Sequence, residues 1–191
     1  MEEDVIYATV TGKKNNIFRL EISRYYLIST FIACLVITLS LPISGEFDSF
    51  GESARYGFFQ GISMVSTTGF ATADANTWPP LALLVIILLG IQCGCAGSTS
   101  GGIKADRVIL AGKLIKQNFI KQQHPTAVMR TKIDGITQDS AVVNYAILYI
   151  VLFVILVIIG AIVNTACGMD LGTGFTAALT WTGNVGPAFG N

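Results

Sequence analysis

The residues with chemistry to offer sit in two glycine-centred stretches and one glycine-rich run. The first is "SMVSTTGFATAD", Ser63–Asp74, with Thr67, Thr68, Gly69 and Phe70 at its centre. The second is "TGNVGPAFG", with Asn184, Val185, Gly186 and Pro187. The third is "GCAGSTSGGIK", Gly94–Lys104. Their common resource is the peptide backbone, and no covalent chemistry is needed to use it. β-Branched Thr67 and Thr68 followed by Gly69 make a poor helix, so peptide carbonyls there lack helical partners. Stacked carbonyl oxygens can replace the water shell of a desolvated cation, and glycine supplies the backbone freedom such stacking needs.

What surrounds these stretches decides whether that matters. Of 191 residues, 52% are hydrophobic and 13% charged, and mean hydropathy is +0.61. This composition belongs to the membrane class. The net charge is zero, so no basic surface argues for nucleic acid. No charged residue occurs in Tyr25–Ile43, Ala75–Ile103 or Ser140–Cys167. A helix needs roughly 20 apolar residues to cross the hydrocarbon core. Tyr25–Ile43 and Ala141–Val163 are long enough; Leu81–Gly97 is marginal and ends in glycines. The first run starts too late and is too long for a cleavable signal.

Lysine and arginine orient the chain. Lys13, Lys14, Arg19 and Arg24 precede the first span, and seven more lie from Lys104 to Lys132. The positive-inside rule puts both segments in the cytoplasm. Glu46, Asp48, Glu52 and Asp170 then lie outside. Cys34, Cys93, Cys95 and Cys167 fit no zinc or redox spacing and read as small apolar residues.

Ser53–Ser66 predicts a short helix, with Phe58, Phe59, Ile62 and Val65 at helical spacing. It is too short to cross and leads into the first glycine turn, which makes a re-entrant loop. Sliding the sequence by 117 residues puts Gly57-Phe58 on Gly174-Phe175, Gly69 on Gly186 and Ala71 on Ala188. The span 24–43 falls on 141–160. The order span, half-helix, glycine turn therefore occurs twice. This divides the chain into a cytoplasmic segment 1–24, a complete unit 25–107, a linker 108–139 and a second unit 140–191 that lacks its return helix. The expectation is part of a longer all-α membrane protein.

Inside a bilayer, irregular backbone is tolerated only where it is buried in protein or lines a watery cavity. Each half-helix runs inward, so the negative end of its dipole faces the turn and favours cations. "MVSTTGFATAD", "CGCAGSTSGGIKADRV", "QQHPTAV" and "TGNVGPAFG", in this order, resemble the potassium-translocating subunits of the TrkH/KtrB superfamily, over about residues 21–191. The resemblance implies four span–pore-helix–span units around one pore, with this chain forming the third and the start of the fourth. It implies K+ as the transported ion and a selectivity filter drawn from Thr67, Thr68, Gly69 and Phe70 and from Asn184, Val185 and Gly186. Asn184-Val185-Gly186-Pro187 departs from the family's Thr-x-Gly form, so the ring is asymmetric. The resemblance also implies an inner-membrane homodimer and a cytoplasmic, nucleotide-binding, TrkA-like regulatory ring, with any nucleotide held on that separate subunit.

In the family the third stretch is an intramembrane gate beneath the filter. Gly94, Gly97, Gly101 and Gly102 permit large backbone changes, and Ser98, Thr99 and Ser100 can satisfy loosened peptide groups. Lys104 is either a positive charge at the inner mouth or a plain positive-inside anchor. A phosphate-binding P-loop is excluded: it needs lysine directly after the second glycine, but here Ile103 intervenes and Ala105 follows. Asp106–Gln122 reads as an amphipathic helix that continues the second span or lies at the interface. His124 beside Pro125 reads as a surface or cap residue. Asn144 and Tyr145 read as packing residues of the third span. The competing function is a non-conducting membrane scaffold or regulatory subunit that recruits a soluble partner through its basic loop.

Overall fold

A computed structural model describes residues 20–43, 45, 47, 49–95, 97–124 and 131–189. Lys13, Lys14, Arg19, Glu46, Asp48 and Arg130, which orient the chain, and Pro125 beside His124 lie outside the described residues. The described residues are mostly helical. Helix α1 is Glu21–Ile43, α2 Phe50–Val65, α3 Pro80–Gln92, α4 Ala105–Gln123, α5 Ser140–Ala166 and α6 Leu171–Thr182. A 3-10 turn, Ala75–Thr77, precedes α3. Strands β1 (Lys132–Ile133) and β2 (Ile136–Thr137) pair antiparallel.

Helix starts follow local chemistry. Ser49 accepts from Gly51 N–H at 3.3 Å and caps α2. Asp139 does the same for α5 from Ala141 N–H, and Asp170 for α6 from Gly172 N–H at 3.0 Å. Each side-chain oxygen satisfies one orphan donor of the first turn. Pro80 opens α3, where its missing N–H costs nothing. The hairpin between β1 and β2 turns on Asp134 and Gly135, both at positive φ (50° and 78°), the geometry an Asp-Gly pair favours.

Helices α1 and α5, of 23 and 27 residues, are long and apolar enough to cross a membrane. At ~1.5 Å per residue the 13 residues of α3 span about 20 Å, short of a crossing. The apolar run Leu81–Gly97 is thus helical only as far as Gln92, because Cys93 adopts φ 52° and ends it. Most of the apolar residues of α1 and α5 face away from the chain. A helix that is apolar all round and this exposed suits hydrocarbon rather than water. Asn144 and Tyr145 do not pack among the described residues; both are exposed.

Packing between helices runs through small residues. A Cβ on Gly57 would lie 2.9 Å from Thr38 Oγ1 and 3.2 Å from Thr38 N, and one on Gly61 2.7 Å from Cys34 Sγ. On the second pair, a Cβ on Gly174 would lie 3.1 Å from Thr165 Oγ1, and one on Gly160 3.0 Å from Ala178 Cβ. Asn164 Nδ2 donates to Gly174 O at 3.0 Å across that contact. Lipid tails are as apolar as leucine, so close backbone approach rather than hydrophobicity holds such helices together. The buried face of α2 is accordingly Ser53, Gly57, Gln60, Gly61, Ser63, Met64 and Val65, while Phe59 and Ile62 point outward. Of the four apolar residues at helical spacing, Val65 is buried, Phe58 is half-buried, and only Phe59 and Ile62 are exposed.

The two hairpins α1–α2 and α5–α6 share this glycine–threonine contact, but at different spacing. Gly174 lies 117 residues after Gly57, whereas Thr165 lies 127 after Thr38. The offset that superposes the half-helices therefore does not superpose the spans. Their contact points are displaced by ten residues, roughly 15 Å of helix.

These contacts predict opposite outcomes for two substitutions. Gly57→Leu inserts a side chain where even a Cβ is crowded, and should destabilise the folded protein by about 1–3 kcal/mol. Gly112→Ala, on α4 with nothing within 4 Å of its Cβ position, should be neutral or stabilising by up to ~1 kcal/mol. Thermal unfolding of both purified variants in detergent checks the pair.

Candidate functional site

Both half-helices end in the same local structure. After α2, Thr67 N donates to Met64 O at 3.2 Å and Thr68 N to Ser63 O at 3.1 Å. After α6, Asn184 N donates to Trp181 O at 3.0 Å and Val185 N to Thr180 O at 2.8 Å. Thr67 and Asn184 take left-handed φ values of 57° and 55°; Gly69 and Gly186 follow at 72° and 110°. Each turn thus alternates left-handed and ordinary residues over three positions. Glycine holds the third position of both turns without strain, while Thr67 and Asn184 adopt positive φ as non-glycine residues at some cost.

The turns lie against each other. A Cβ on Gly69 would collide with the carbonyl oxygen of Val185 and would stand 3.3 Å from Pro187 Cδ. Val185 and Phe189 are buried in the main core, among Ile37, Met64, Trp78 and Ile86 of the first unit. The second turn is therefore docked into the first unit's packing. Side chains brace each turn from behind. Ser63 Oγ donates to Phe70 O at 2.7 Å, and Thr68 Oγ1 lies 3.2 Å from Ser63 O. In the second turn, buried Thr176 Oγ1 donates to Phe189 O and accepts from Phe189 N at 3.2 Å.

The carbonyl oxygens of Thr67, Thr68, Gly69, Asn184, Val185 and Gly186 accept no hydrogen bond among the described residues, although their neighbours' polar groups are paired. The C-terminal ends of α2 and α6 adjoin them and carry the negative end of each helix dipole. The two turns, with six carbonyls unpartnered among the described residues and two negative helix ends beside them, offer acceptors and no donor charge, an environment that favours positive charge. Phe70, 71% exposed, faces away from this packing.

The glycine-rich run is an organised excursion. Ile103 N donates to Ile91 O at 3.0 Å, Lys104 N to Gln92 O at 2.9 Å and Ala105 N to Gly94 O at 3.0 Å. The donors that open α4 thus cap the carbonyls that close α3, and each helix end satisfies the other's orphan groups. Residues between them loop out. Gly94 N donates to Ser100 Oγ at 3.1 Å, Ser98 Oγ lies 2.6 Å from Ser100 Oγ, and Ser98 Oγ donates to Cys95 O at 2.8 Å. Thr99 and Gly97 are exposed. Lys104, at φ 71°, folds its Nζ back onto Ser98 O at 2.8 Å. Positive φ at Gly97 (80°) and Gly102 (69°) closes the loop.

The loop reaches the turns. A Cβ on Gly101 would collide with Gly183 O and would stand 3.1 Å from Asn184 Cβ. The loop thus brings Gly101 against the base of the second turn; Lys104 is tied to the loop itself. The loop's start is braced by Gln92, whose Nε2 donates to Ser29 Oγ at 2.9 Å. Its end is held by α5: Tyr149 Oη donates to Gly102 O at 3.1 Å, and the Arg107 guanidinium lies 3.9 Å from the Tyr149 ring centroid. Gln92, Arg107 and Tyr149 escaped the sequence reading because their partners lie far along the chain. His124 closes α4 as its C-cap, N–H to Ile120 O at 2.8 Å.

Residues 25–191 match the family described as TrkH, cation transport protein. The Trk system potassium uptake protein TrkH of Halomonas elongata is 34% identical over 162 residues, 84% of this chain and 33% of the relative. Its namesake in Escherichia coli K12 is 28% identical over 170 residues, 87% of this chain and 35% of that protein. The crystal structure of the potassium transporter TrkH from Vibrio parahaemolyticus superposes with a TM-score of 0.85 at 26% identity, covering 96% of this chain and 40% of that one. The chain thus spans about a third of the length of the curated relatives it matches. The family is one of cation transporters and not an enzyme family. On its sequence and on its all-α membrane fold, the chain belongs to the TrkH family of cation transport proteins.

Proposed function

We propose that this chain forms part of the K+ pathway of a potassium uptake protein. Residues 67–70 and 184–186 act as two segments of a carbonyl filter, and Gly97–Lys104 acts as an intramembrane gate. The observation that carries this reading is the set of six unpartnered carbonyls on adjoining turns. Peptide oxygens without a protein donor, on residues that are exposed or half-buried except Val185, are free to coordinate, and in a membrane a dehydrated monovalent cation can take the place of their hydrogen bonds. The names of the relatives supply the identity of that cation.

The gate reading draws support from Gly101, which packs on Gly183 directly behind the second turn. In that position the loop obstructs one side of the path below the filter and must move aside for ions to pass. The inner anchor role of Lys104 fits its bond to Ser98 O: its charge travels with the loop. The driving force is the membrane potential, ~2.3 kcal/mol per charge per 100 mV. The relatives are named as parts of a Trk system. A regulatory partner in such a system would meet the lysine-rich face of α4.

Gly69→Ala should be the more harmful of two filter substitutions, because its Cβ meets the Val185 carbonyl and its φ disfavours any side chain. Gly186→Ala has open space and suffers strain alone, about 1–2 kcal/mol. Rubidium uptake by cells expressing each variant at normal level should fall at least ~10-fold for Gly69→Ala, the factor given by a 1.4 kcal/mol loss, and less for Gly186→Ala. Normal uptake by Gly69→Ala protein would sink the filter reading and favour the scaffold. Thr68→Val removes the hydroxyl that reaches Ser63. Because Val185 holds the corresponding place in the second turn, uptake should persist, with a lower preference for K+ over Na+ in competition uptake.

A further inference from the structure

We propose that Tyr149 is a positioning residue that latches the Gly97–Lys104 loop in the conformation described here; this rests on reading that loop as the gate. The argument begins with one peptide unit, Gly102–Ile103. Its carbonyl accepts from Tyr149 Oη at 3.1 Å, on α5. Its N–H donates to Ile91 O at 3.0 Å, on α3. The unit is therefore bonded on one side within the α3–α4 junction and on the other to a separate span, α5. It is also the unit where the loop rejoins α4, with Gly102 at φ 69° and Lys104 at φ 71°. A Cβ on Gly102 would lie 2.7 Å from Cys93 Cβ, so the fit there is close.

Two further contacts reinforce the link to α5. Ile103 is buried against Phe153 and Val157 of α5 and Leu179 of α6. Tyr149, Phe153 and Val157 follow at intervals of four and share one face of α5. Arg107 donates to Ile103 O at 3.2 Å and lies over the Tyr149 ring at 3.9 Å. Among the described residues Arg107 has no carboxylate partner; the only ion pair there is Lys113–Glu21. The ring face is thus the group that receives its charge.

Moving the loop off Gly183 requires the residues between Cys93 and Lys104 to rotate. The Ile91, Gln92 and Gly94 bonds lie within the α3–α4 junction and can travel with it. The Tyr149 bond cannot, because it reaches to a separate span. The hydroxyl therefore stabilises the closed arrangement without contacting the filter. It should set how often the loop opens and leave untouched which ion is chosen.

The test measures rubidium flux and K+/Na+ competition in proteoliposomes, each normalised to assembled protein. Tyr149→Phe removes the hydroxyl and keeps the ring under Arg107. Basal flux should rise about fivefold, the factor that loss of one ordinary hydrogen bond gives an equilibrium, with the K+/Na+ ratio unchanged. Tyr149→Leu, which also removes the ring, should raise it further. Deleting Gly97–Ser100 should raise flux by itself, and Tyr149→Phe should add nothing in that background. If the deletion raises flux and Tyr149→Phe does not, the latch is overturned while the gate stands. If neither changes flux, the gate reading falls and the latch with it. If Tyr149→Phe shifts the ion ratio, or adds to the deletion, the tyrosine acts elsewhere and the proposal is wrong.

Discussion

A peptide group in hydrocarbon must find a partner, and everything distinctive in this chain answers that demand. Helices α1 and α5 meet it internally, through their own ladders. The three places where the ladder stops meet it in different ways. At the α3–α4 break, each helix end supplies the groups the other lacks. At the two glycine turns, N–H groups bond back to the half-helix, while six carbonyls are left over. In the α3–α4 loop the carbonyls of Cys93, Gly97, Thr99, Ser100 and Gly101 also accept no hydrogen bond among the described residues, so what sets the two turns apart is their apposition and the half-helix ends beside them.

Close packing then fixes how these parts meet. Glycines at 57, 61, 160 and 174 let the half-helices approach the spans to backbone contact. Glycines at 69 and 101 let the second turn be touched from two sides: by the first turn at Val185 and by the loop at Gly183. The second turn is thus the meeting point of both units. Val185 and Phe189 bury their side chains in the first unit's core, so the carbonyl cluster is held by hydrophobic packing rather than by loop stiffness. The loop itself is held to the spans at Ile103 and Tyr149 and to the α3 end by hydrogen bonds. This is the arrangement expected of an element with a small energy gap between two positions.

Much of this was readable from residue types. The short helix read over Ser53–Ser66 is present as Phe50–Val65, its start set three residues earlier by the Ser49 cap. Gly69 and Gly186 mark the turns, because two threonines or an Asn-Val pair before a glycine leave little else to form. The glycine run announced an interruption after Gln92. Three things were not readable in the same way. The periodicity of Phe58, Phe59, Ile62 and Val65 announced the α2 helix but not its packed face, which is set by small residues such as Gly57 and Gly61. The offset between the spans slipped by ten residues from that between the half-helices, since apolar helices carry no punctuation to fix their register. Tyr149 and Arg107 were silent because their contacts join residues that no periodicity connects. The β1–β2 hairpin was announced by Asp134-Gly135, a signal that the surrounding charged linker obscured.

The central claim is that the carbonyls of residues 67–69 and 184–186 take a dehydrated monovalent cation in place of hydrogen bonds. The most direct measurement is the anomalous signal of thallium or rubidium in crystals of the protein grown with that ion in place of K+. The account predicts a peak between the two turns, in direct contact with carbonyl oxygens from both. A fully occupied crystal with no peak there, or with those oxygens hydrogen-bonded to protein donors instead, would contradict it.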